Sequence, residues 1–336
     1  MREEGEILAN NVLLNIRRIQ VNFLKVPIVR NIDFKIYRKE TLGIIGESGS
    51  GKTTLARAIM RILPEDGALS PDSSAIYYGL KDREINIFNI SLADFSRLIR
   101  WKEISMVFQS ALSSLNPTLK VKDHFIETAK AHGLSDSREI MERAWKILET
   151  VKLDPDRVLR MFTVELSGGM KQRVVIALSL LLNPKIVILD EPTTALDVLT
   201  QRIILDLLKK LRENFELTYI LITHDIALIA DLADRVIVIY AGKIVEEGNV
   251  EEIFYNPLHP YTKLLLEAVP KIGEFDKLPK PIPGASIDYR NLPSGCSFHP
   301  RCPYAGKICI EKEPFLINFR ENRRISCHMY TSLWRR

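Results

Sequence analysis

Three glycines, a lysine and two threonines stand close together in the run Gly46-Glu-Ser-Gly-Ser-Gly-Lys-Thr-Thr, directly after the apolar stretch Thr41–Ile45 and directly before a helical pattern from Leu55 to Leu63. That spacing is suited to holding phosphate. Gly46, Gly49 and Gly51 let the backbone turn tightly and aim successive N–H groups at one point, and the following helix adds the positive end of its dipole. The candidate phosphate contacts are thus Gly46, Glu47, Ser48, Gly49, Ser50, Gly51, Lys52, Thr53 and Thr54. The Lys52 ammonium can reach the outer phosphates, and the Thr53 hydroxyl can ligate Mg²⁺. A second set of groups follows the apolar run Lys185-Ile-Val-Ile-Leu, where Asp190 and Glu191 emerge side by side. Asp190 can hold a hydrated Mg²⁺, and Glu191 can orient and deprotonate a water. Phosphoryl transfer needs these parts: a cradle, a cation, a metal and a base in line. His224 closes a further apolar run, Thr218 to Thr223, and would put an imidazole at a strand end.

The elements that must position these groups are legible as apolar periodicity. Val12 to Val21 and Ile32 to Tyr37 alternate as strands on either side of a Lys25-Val-Pro turn, and Phe23 between them could stack on a nucleotide base or pack in a core. A helical region runs from about Leu92 to Leu182. Within it lie a strand at Ile104-Ser-Met-Val-Phe, a turn-rich stretch after Gln109, and amphipathic helices at Asp123–His132 and Arg138–Val151. Leu166-Ser-Gly-Gly-Met then precedes a strongly apolar helix from Val174 to Leu182. Ser167, Gly168 and Gly169 read as an N-cap and tight turn that is also suited to binding an anion. The runs ending at Asp190 and Thr223 read as central parallel strands, buried on both faces. The fold class is therefore α/β: a parallel sheet of the phosphate-loop ATPase type with an antiparallel β subdomain, a helical subdomain over about 92–182 and a small cysteine-rich C-terminal extension.

Composition sets the outer bounds. With 336 residues there is room for one large α/β domain and an appendage, and a domain boundary is expected near residue 270, giving 1–270 and 271–336. Lys+Arg exceed Asp+Glu by 47 − 42 = 5, with both signs scattered, which argues against nucleic acid as the main partner. No apolar run approaches the ~20 residues needed to span a bilayer, and the start Met1-Arg-Glu-Glu-Gly-Glu is unlike a signal peptide. The expectation is a soluble, cytosolic chain.

The ordered set Gly46 to Thr54, Gln109, Leu166-Ser-Gly-Gly-Met, Ile186-Val-Ile-Leu-Asp-Glu, Thr194-Ala-Leu-Asp and Thr223-His-Asp resembles the nucleotide-binding subunits of ATP-binding-cassette (ABC) transporters. More narrowly, Glu165-Leu-Ser-Gly-Gly-Met-Lys-Gln-Arg, Asp190-Glu-Pro-Thr-Thr-Ala-Leu-Asp, His259-Pro-Tyr-Thr and Leu292-Pro-Ser-Gly-Cys-Ser-Phe-His-Pro-Arg-Cys-Pro resemble the ATPases of dipeptide and oligopeptide importers. The resemblance implies hydrolysis of ATP with Mg²⁺ to drive peptide uptake. Two cassettes, alike or different, would face each other, with Ser167, Gly168 and Gly169 on the ATP of the partner and Asp197 at the dimer interface. Gln109 would join Thr53 and Asp190 around Mg²⁺, while Glu191 and His224 would act on the water and the γ-phosphate. Two membrane permease subunits, an extracellular solute-binding protein and a peripheral place on the cytoplasmic side of the membrane are implied too. Members of this group also carry oligosaccharides or nickel, and soluble ABC ATPases exist outside transport. Two departures stand out: Ser110-Ala111 replaces the usual Asp-Pro after the loop glutamine, and Lys39 replaces a glycine.

The extension has its own chemistry, since all four cysteines fall in it as Cys296-x5-Cys302-x6-Cys309-x17-Cys327, after a proline-rich linker Leu278-Pro-Lys-Pro-Ile-Pro-Gly. Clustered cysteines in a cytosolic chain favour a metal over disulfides. Irregular spacing suits an iron–sulfur cluster better than the short hooks of zinc ribbons. The resemblance implies a [4Fe-4S] centre; zinc is the alternative, and disulfides or free thiols remain open.

Overall fold

The computed structural model describes residues 11–80, 83–109, 114–268, 281–332 and 334. Ser110-Ala111, the rest of the turn-rich stretch to residue 113, the expected boundary near 270 and the first residues of the proline-rich linker lie outside them. The chain divides into two compact units. The first takes the residues up to Leu14, Lys35–Glu40 and Ile76–Leu221; the second takes Asn15–Phe34, Thr41–Ala75 and everything from Ile222 onward.

In chain order the elements used below are β1 (Val12–Phe23), β2 (Val26–Tyr37), β3 (Thr41–Ile45), α1 (Lys52–Ile59), β4 (Gly67–Leu69), β5 (Ser74–Leu80) and β6 (Arg83–Asn86). Next come β7 (Ile104–Val107), α2 (Val121–Ala131), α3 (Ser137–Thr150), α4 (Gly168–Leu180), β8 (Ile186–Asp190), α5 (Val198–Phe215) and β9 (Thr218–Ile222). The chain continues through α6 (Ile226–Leu232), β10 (Arg235–Tyr240), β11 (Lys243–Asn249), α7 (Pro260–Glu267), β12 (Ile317–Arg320) and β13 (Arg323–Ile325). No helix among the described residues is long and apolar enough to cross a membrane.

The first unit carries the sheet order β9-β8-β7, with β7 and β8 parallel and in register from Ile104↔Ile186 to Val107↔Leu189. Every residue of β7, β8 and β9 is buried, as the continuous apolar runs require. The helical expectation holds in outline. In α2 the buried residues Val121, Phe125 and Ala129 recur at intervals of four, and α3 buries Ile140, Ala144, Ile147 and Leu148 after an Asp136 N-cap. Helix α4 starts at Gly168 rather than Val174, because the Ser167 hydroxyl accepts the Met170 N–H at 3.3 Å and so satisfies a donor of the first turn. The cap outweighs the poor helix propensity of two glycines. Likewise the helix after the phosphate-loop run begins earlier and ends earlier than the Leu55–Leu63 pattern suggests, at Lys52 and Ile59.

In the second unit the order is β12-β13-β11-β10-β3. Strand β3 runs parallel to β10, from Leu42↔Arg235 to Ile45↔Val238, whereas β10–β11, β11–β13 and β12–β13 are antiparallel. Residues from the cysteine-rich extension thus add strands to this sheet, a pairing that local periodicity cannot reveal because its partners are far apart in sequence. Its register sets charged residues inside. Glu246 is wholly buried and accepts from the Leu258 N–H at 2.8 Å, the His259 N–H at 2.9 Å and Arg323 Nη2 at 2.7 Å. Beside it Glu247 pairs with both Arg235 and Arg324.

Removing one member of such a pair strands the other without water. Arg323→Met is expected to cost about 3–5 kcal/mol, and adding Glu246→Gln to it should return part of that loss by removing the uncompensated charge. Denaturant melts of Arg323→Met, Glu246→Gln and the double variant check this; additive losses would mean that the pair carries no mutual stabilisation.

Candidate functional site

The phosphate-loop run lies in the second unit, between β3 and α1. Gly46 has φ +154, and a Cβ there would sit 2.2 Å from the Ile239 carbonyl oxygen; Gly51 has φ +101, with the Ile28 carbonyl 3.0 Å from the same point. Only glycine fits the first position, so the loop's shape is dictated by close backbone approach. Lys52 is almost wholly buried, and its Nζ donates to the carbonyls of Gly46 at 2.7 Å and Glu47 at 2.8 Å and to Ser50 Oγ at 3.3 Å. The ammonium therefore spans the loop from which it projects. Thr53 and Thr54 follow in the first turn of α1. His224 is exposed just after β9, ahead of α6, whose N-cap Asp225 accepts from the Ala227 N–H at 2.9 Å. Phe23 ends β1, half-buried, with its ring edge against Gly67 of the paired strand β4.

Glu47 is held from an unexpected direction. Its N–H donates to the Tyr261 hydroxyl at 2.8 Å, and its carboxylate accepts both Arg301 Nη1 at 2.7 Å and Arg301 Nη2 at 2.9 Å. This two-pronged pair raises the Arg301 pKa, with burial opposing. Arg301 Nε donates to the Pro283 carbonyl at 2.7 Å, and its guanidinium lies 5.9 Å from the Tyr240 ring centre. Tyr240, Tyr261 and Phe298 pack ring on ring, with centroids 4.6–5.4 Å apart. Sequence reasoning missed Arg301 and Tyr261. The available signal was weak: each sits in a phrase, His-Pro-Tyr-Thr or His-Pro-Arg-Cys, whose family resemblance had no chemistry attached.

The acidic set lies in the first unit. Asp190 closes β8 and is 1 % exposed, and Glu191 follows with φ +52, a left-handed conformation that a non-glycine residue holds only when its surroundings impose it. Those surroundings include Gln109 Nε2 and Thr194 Oγ1, which both donate to Glu191 Oε2 at 2.9 Å. The structure thus brings Gln109 to the acid that the sequence marks as the base. Ser167 caps α4, and Gly169 approaches α5 so closely that a Cβ would meet Thr200 Cγ2 at 2.7 Å. Asp197 caps α5, and hydrogen bonds from Thr200 hold its carboxyl below the usual carboxylate range. Immediately beyond it Val198 and Leu199 are each 79 % exposed and Ile203 is 53 % exposed.

Cys296, Cys302, Cys309 and Cys327 line one small cavity in the second unit, with His259, Phe298 and His328 on its wall. None is in a disulfide. Burial pushes the Cys296 thiol up to about 11 and the Cys327 thiol up to about 12, and raises Cys302 as well; in each case neighbouring cysteines add to the rise. Among the described residues no group of three or more His, Cys, Asp or Glu side chains is arranged to hold a single metal ion.

Residues 29–194 match the family described as ABC transporter, and residues 245–309 match the oligopeptide/dipeptide transporter C-terminal region. The chain is 46% identical to the dipeptide transport ATP-binding protein DppD of Caldanaerobacter subterraneus over 89% of this chain and 90% of that one. It is 40% identical to the oligopeptide transport ATP-binding protein OppD of Escherichia coli, covering 94% and 93%. Among solved structures it resembles cbiO1 of Clostridium perfringens, part of the ABC transporter complex cbiONQ, with a TM-score of 0.62 and 27% identity over 73% of this chain and 92% of that one. It also resembles the dimeric ATP-binding cassette MJ0796 bound to ADP and Pi, with a TM-score of 0.59 and 27% identity over 71% and 99%.

The clash at Gly46 gives a direct test of the loop. Gly46→Ala must push back either the loop or the Ile239 carbonyl, and a loss of about 1–3 kcal/mol in denaturant unfolding is expected. A change below about 0.5 kcal/mol, the range of an unremarkable surface substitution, would show that the loop relaxes freely.

Proposed function

Because the chain belongs to the ATP-binding subunits of ABC transporters, in the oligopeptide/dipeptide branch, and is an ABC-type ATPase, we propose that it powers uptake of di- or oligopeptides through separate membrane subunits. The observation that carries the proposal is the Gln109–Glu191 hydrogen bond at 2.9 Å, which ties the loop glutamine to the residue assigned as base. Peptide cargo rests on the relatives, which are named for dipeptide or oligopeptide transport. That favours peptides over oligosaccharides, nickel or a role outside transport. A solute-binding protein outside the cell and a peripheral position on the cytoplasmic face belong to the same reading.

In this reading the N–H groups of Gly49 to Thr54 and the Lys52 ammonium hold the phosphates, and Phe23 lies beside the base. Thr53, Gln109 and Asp190 would hold Mg²⁺, which offsets charge on the phosphate oxygens when bound. Glu191 orients the attacking water and takes its proton, and His224 keeps the γ-phosphate aligned. Lys52 must exchange loop carbonyls for phosphate oxygens as ATP arrives, a swap of like partners that costs little. A second cassette would supply Ser167, Gly168 and Gly169 to the ATP of its neighbour. The exposed apolar residues Val198, Leu199 and Ile203 next to Asp197 support burial against such a partner, and the resembling cassette MJ0796 is dimeric.

Glu191→Gln should lower steady-state ATP turnover by about two orders of magnitude or more while nucleotide binding survives. In the same assay wild-type turnover per chain should rise with protein concentration. Near-normal turnover in the variant removes Glu191 from the role of base, and a concentration-independent rate from a strict monomer removes the paired cassette.

We also propose a [4Fe-4S] cluster on Cys296, Cys302, Cys309 and Cys327. Four cysteines lining one cavity, with the thiols of Cys296, Cys302 and Cys327 raised by burial, suit a group that brings its own positive charge and stabilises thiolates. Zinc is the alternative for the same four ligands, and the irregular Cys-x5-Cys-x6-Cys-x17-Cys spacing favours iron over the short hooks of zinc ribbons. Anaerobically purified protein should contain about four irons per chain and lose them on Cys302→Ser. One zinc and no iron would overturn the cluster.

A further inference from the structure

We propose that Arg301 is a positioning residue for ATP binding: through its two-pronged pair with Glu47, the segment between Cys296 and Cys302 sets the shape of the phosphate loop. The inference rests on the reading of Gly46–Thr54 as the ATP site and assigns a role to a residue outside it.

Glu47 is the second residue of the loop, yet neither of its polar ends is free to face a phosphate. Its N–H is taken by the Tyr261 hydroxyl at 2.8 Å and its carboxylate by the Arg301 fork at 2.7 and 2.9 Å. The loop is thereby pinned at its first turn by Tyr261 and Arg301, two groups outside itself. A loop held in its binding shape loses less entropy when the ligand arrives.

Arg301 is itself fixed on every side. It is 8 % exposed, donates to the Pro283 carbonyl, lies against Tyr240, and fits only because Gly284, at φ +80, leaves room: a Cβ there would come 3.0 Å from Arg301 Cγ. Its backbone belongs to a tight chain of turns, Cys296 O to His299 N at 2.9 Å, Phe298 O to Arg301 N at 3.0 Å and His299 O to Cys302 N at 3.3 Å. Two of the four cysteines therefore bracket both Arg301 and Phe298, and Phe298 packs on Tyr261, the other group that holds Glu47. Whatever orders Cys296 and Cys302 also orders both anchors of the loop. Lysine could keep the charge at position 301 but not the planar fork that engages both carboxylate oxygens.

The test uses the full-length chain and equilibrium binding of a fluorescent ATP analogue, with ATP turnover measured beside it. Arg301→Gln and Glu47→Gln should each raise the analogue Kd about tenfold, and Arg301→Gln should leave kcat at saturating ATP within about twofold. Arg301→Lys should fall between wild type and Arg301→Gln. The double variant should bind no worse than either single one, because both changes break the same interaction. Unchanged Kd in the single variants, or additive losses in the double, would overturn the inference. Lys52→Ala separates this from the underlying reading. If wild type binds the analogue and Lys52→Ala does not, the ATP site stands whatever Arg301 does; if wild type fails to bind, the site assignment itself falls. Should Arg301→Gln unfold, Arg301→Lys and Glu47→Gln decide the matter, since each keeps the size of the side chain it replaces.

Discussion

Glu246 imposes the constraint on which the second unit depends. A carboxylate with no exposed surface must be met by hydrogen bonds and an opposite charge, and here the partners come from three directions: Arg323 of β13 and the amides of Leu258 and His259. Satisfying Glu246 thus fixes the register of β11 against β13 and the approach to α7 together. Tyr261 then projects from the first turn of α7 at the place where its hydroxyl meets the Glu47 N–H. One buried charge on a strand leads by two steps to the phosphate loop. Apolar packing alone would tolerate a slip that put Glu246 elsewhere; a desolvated charge does not.

Much of this was legible in the sequence, and the division between what was and was not has a physical basis. The phosphate loop was readable because its glycines answer to local backbone geometry: Gly46 and Gly51 have positive φ and meet carbonyl oxygens that exclude a side chain. The central strands were readable because burial on both faces demands continuous apolar runs, which β8 and β9 carry. Capping at Ser167 was legible as an alternative to anion binding, and the cap is present; but the helix start at Gly168 was not, since periodicity cannot see past two glycines. What escaped were pairs of distant charges. Glu246–Arg323 and Glu47–Arg301 are separated by 77 and 254 residues, and each partner by itself looks like an ordinary solvated side chain. Charge pairing has no period, so nothing in a local pattern marks it.

The cysteines show the same limit from the other side. Their spacing announced a site but not its surroundings, and the surroundings alter the chemistry. Burial raises the Cys296 and Cys327 thiols well above their ordinary range, so these are protonated groups at neutral pH unless a cation stabilises their thiolates. A nucleophilic thiol needs a lowered pKa and access to solvent, so this burial disfavours that chemistry at Cys296 and Cys327.

Glu191, proposed above as the base, sets the first unit a different problem, that of orienting a carboxylate just past a strand end. Its left-handed backbone costs on the order of 1–3 kcal/mol, and two donors, Gln109 and Thr194, converge on a single carboxylate oxygen, Oε2. Donating to one oxygen orients the carboxylate without engaging the other oxygen in those two bonds. The contrast with Glu47 is instructive: there an arginine grips both oxygens, and the carboxylate serves as an anchor. Two glutamates are thus held differently, Glu47 by an arginine fork on both oxygens and Glu191 by Gln109 and Thr194 on Oε2. In the proposed role as base, what Glu191 needs from Gln109 and Thr194 is a direction for its carboxylate before the water arrives, and two donors on one oxygen supply it.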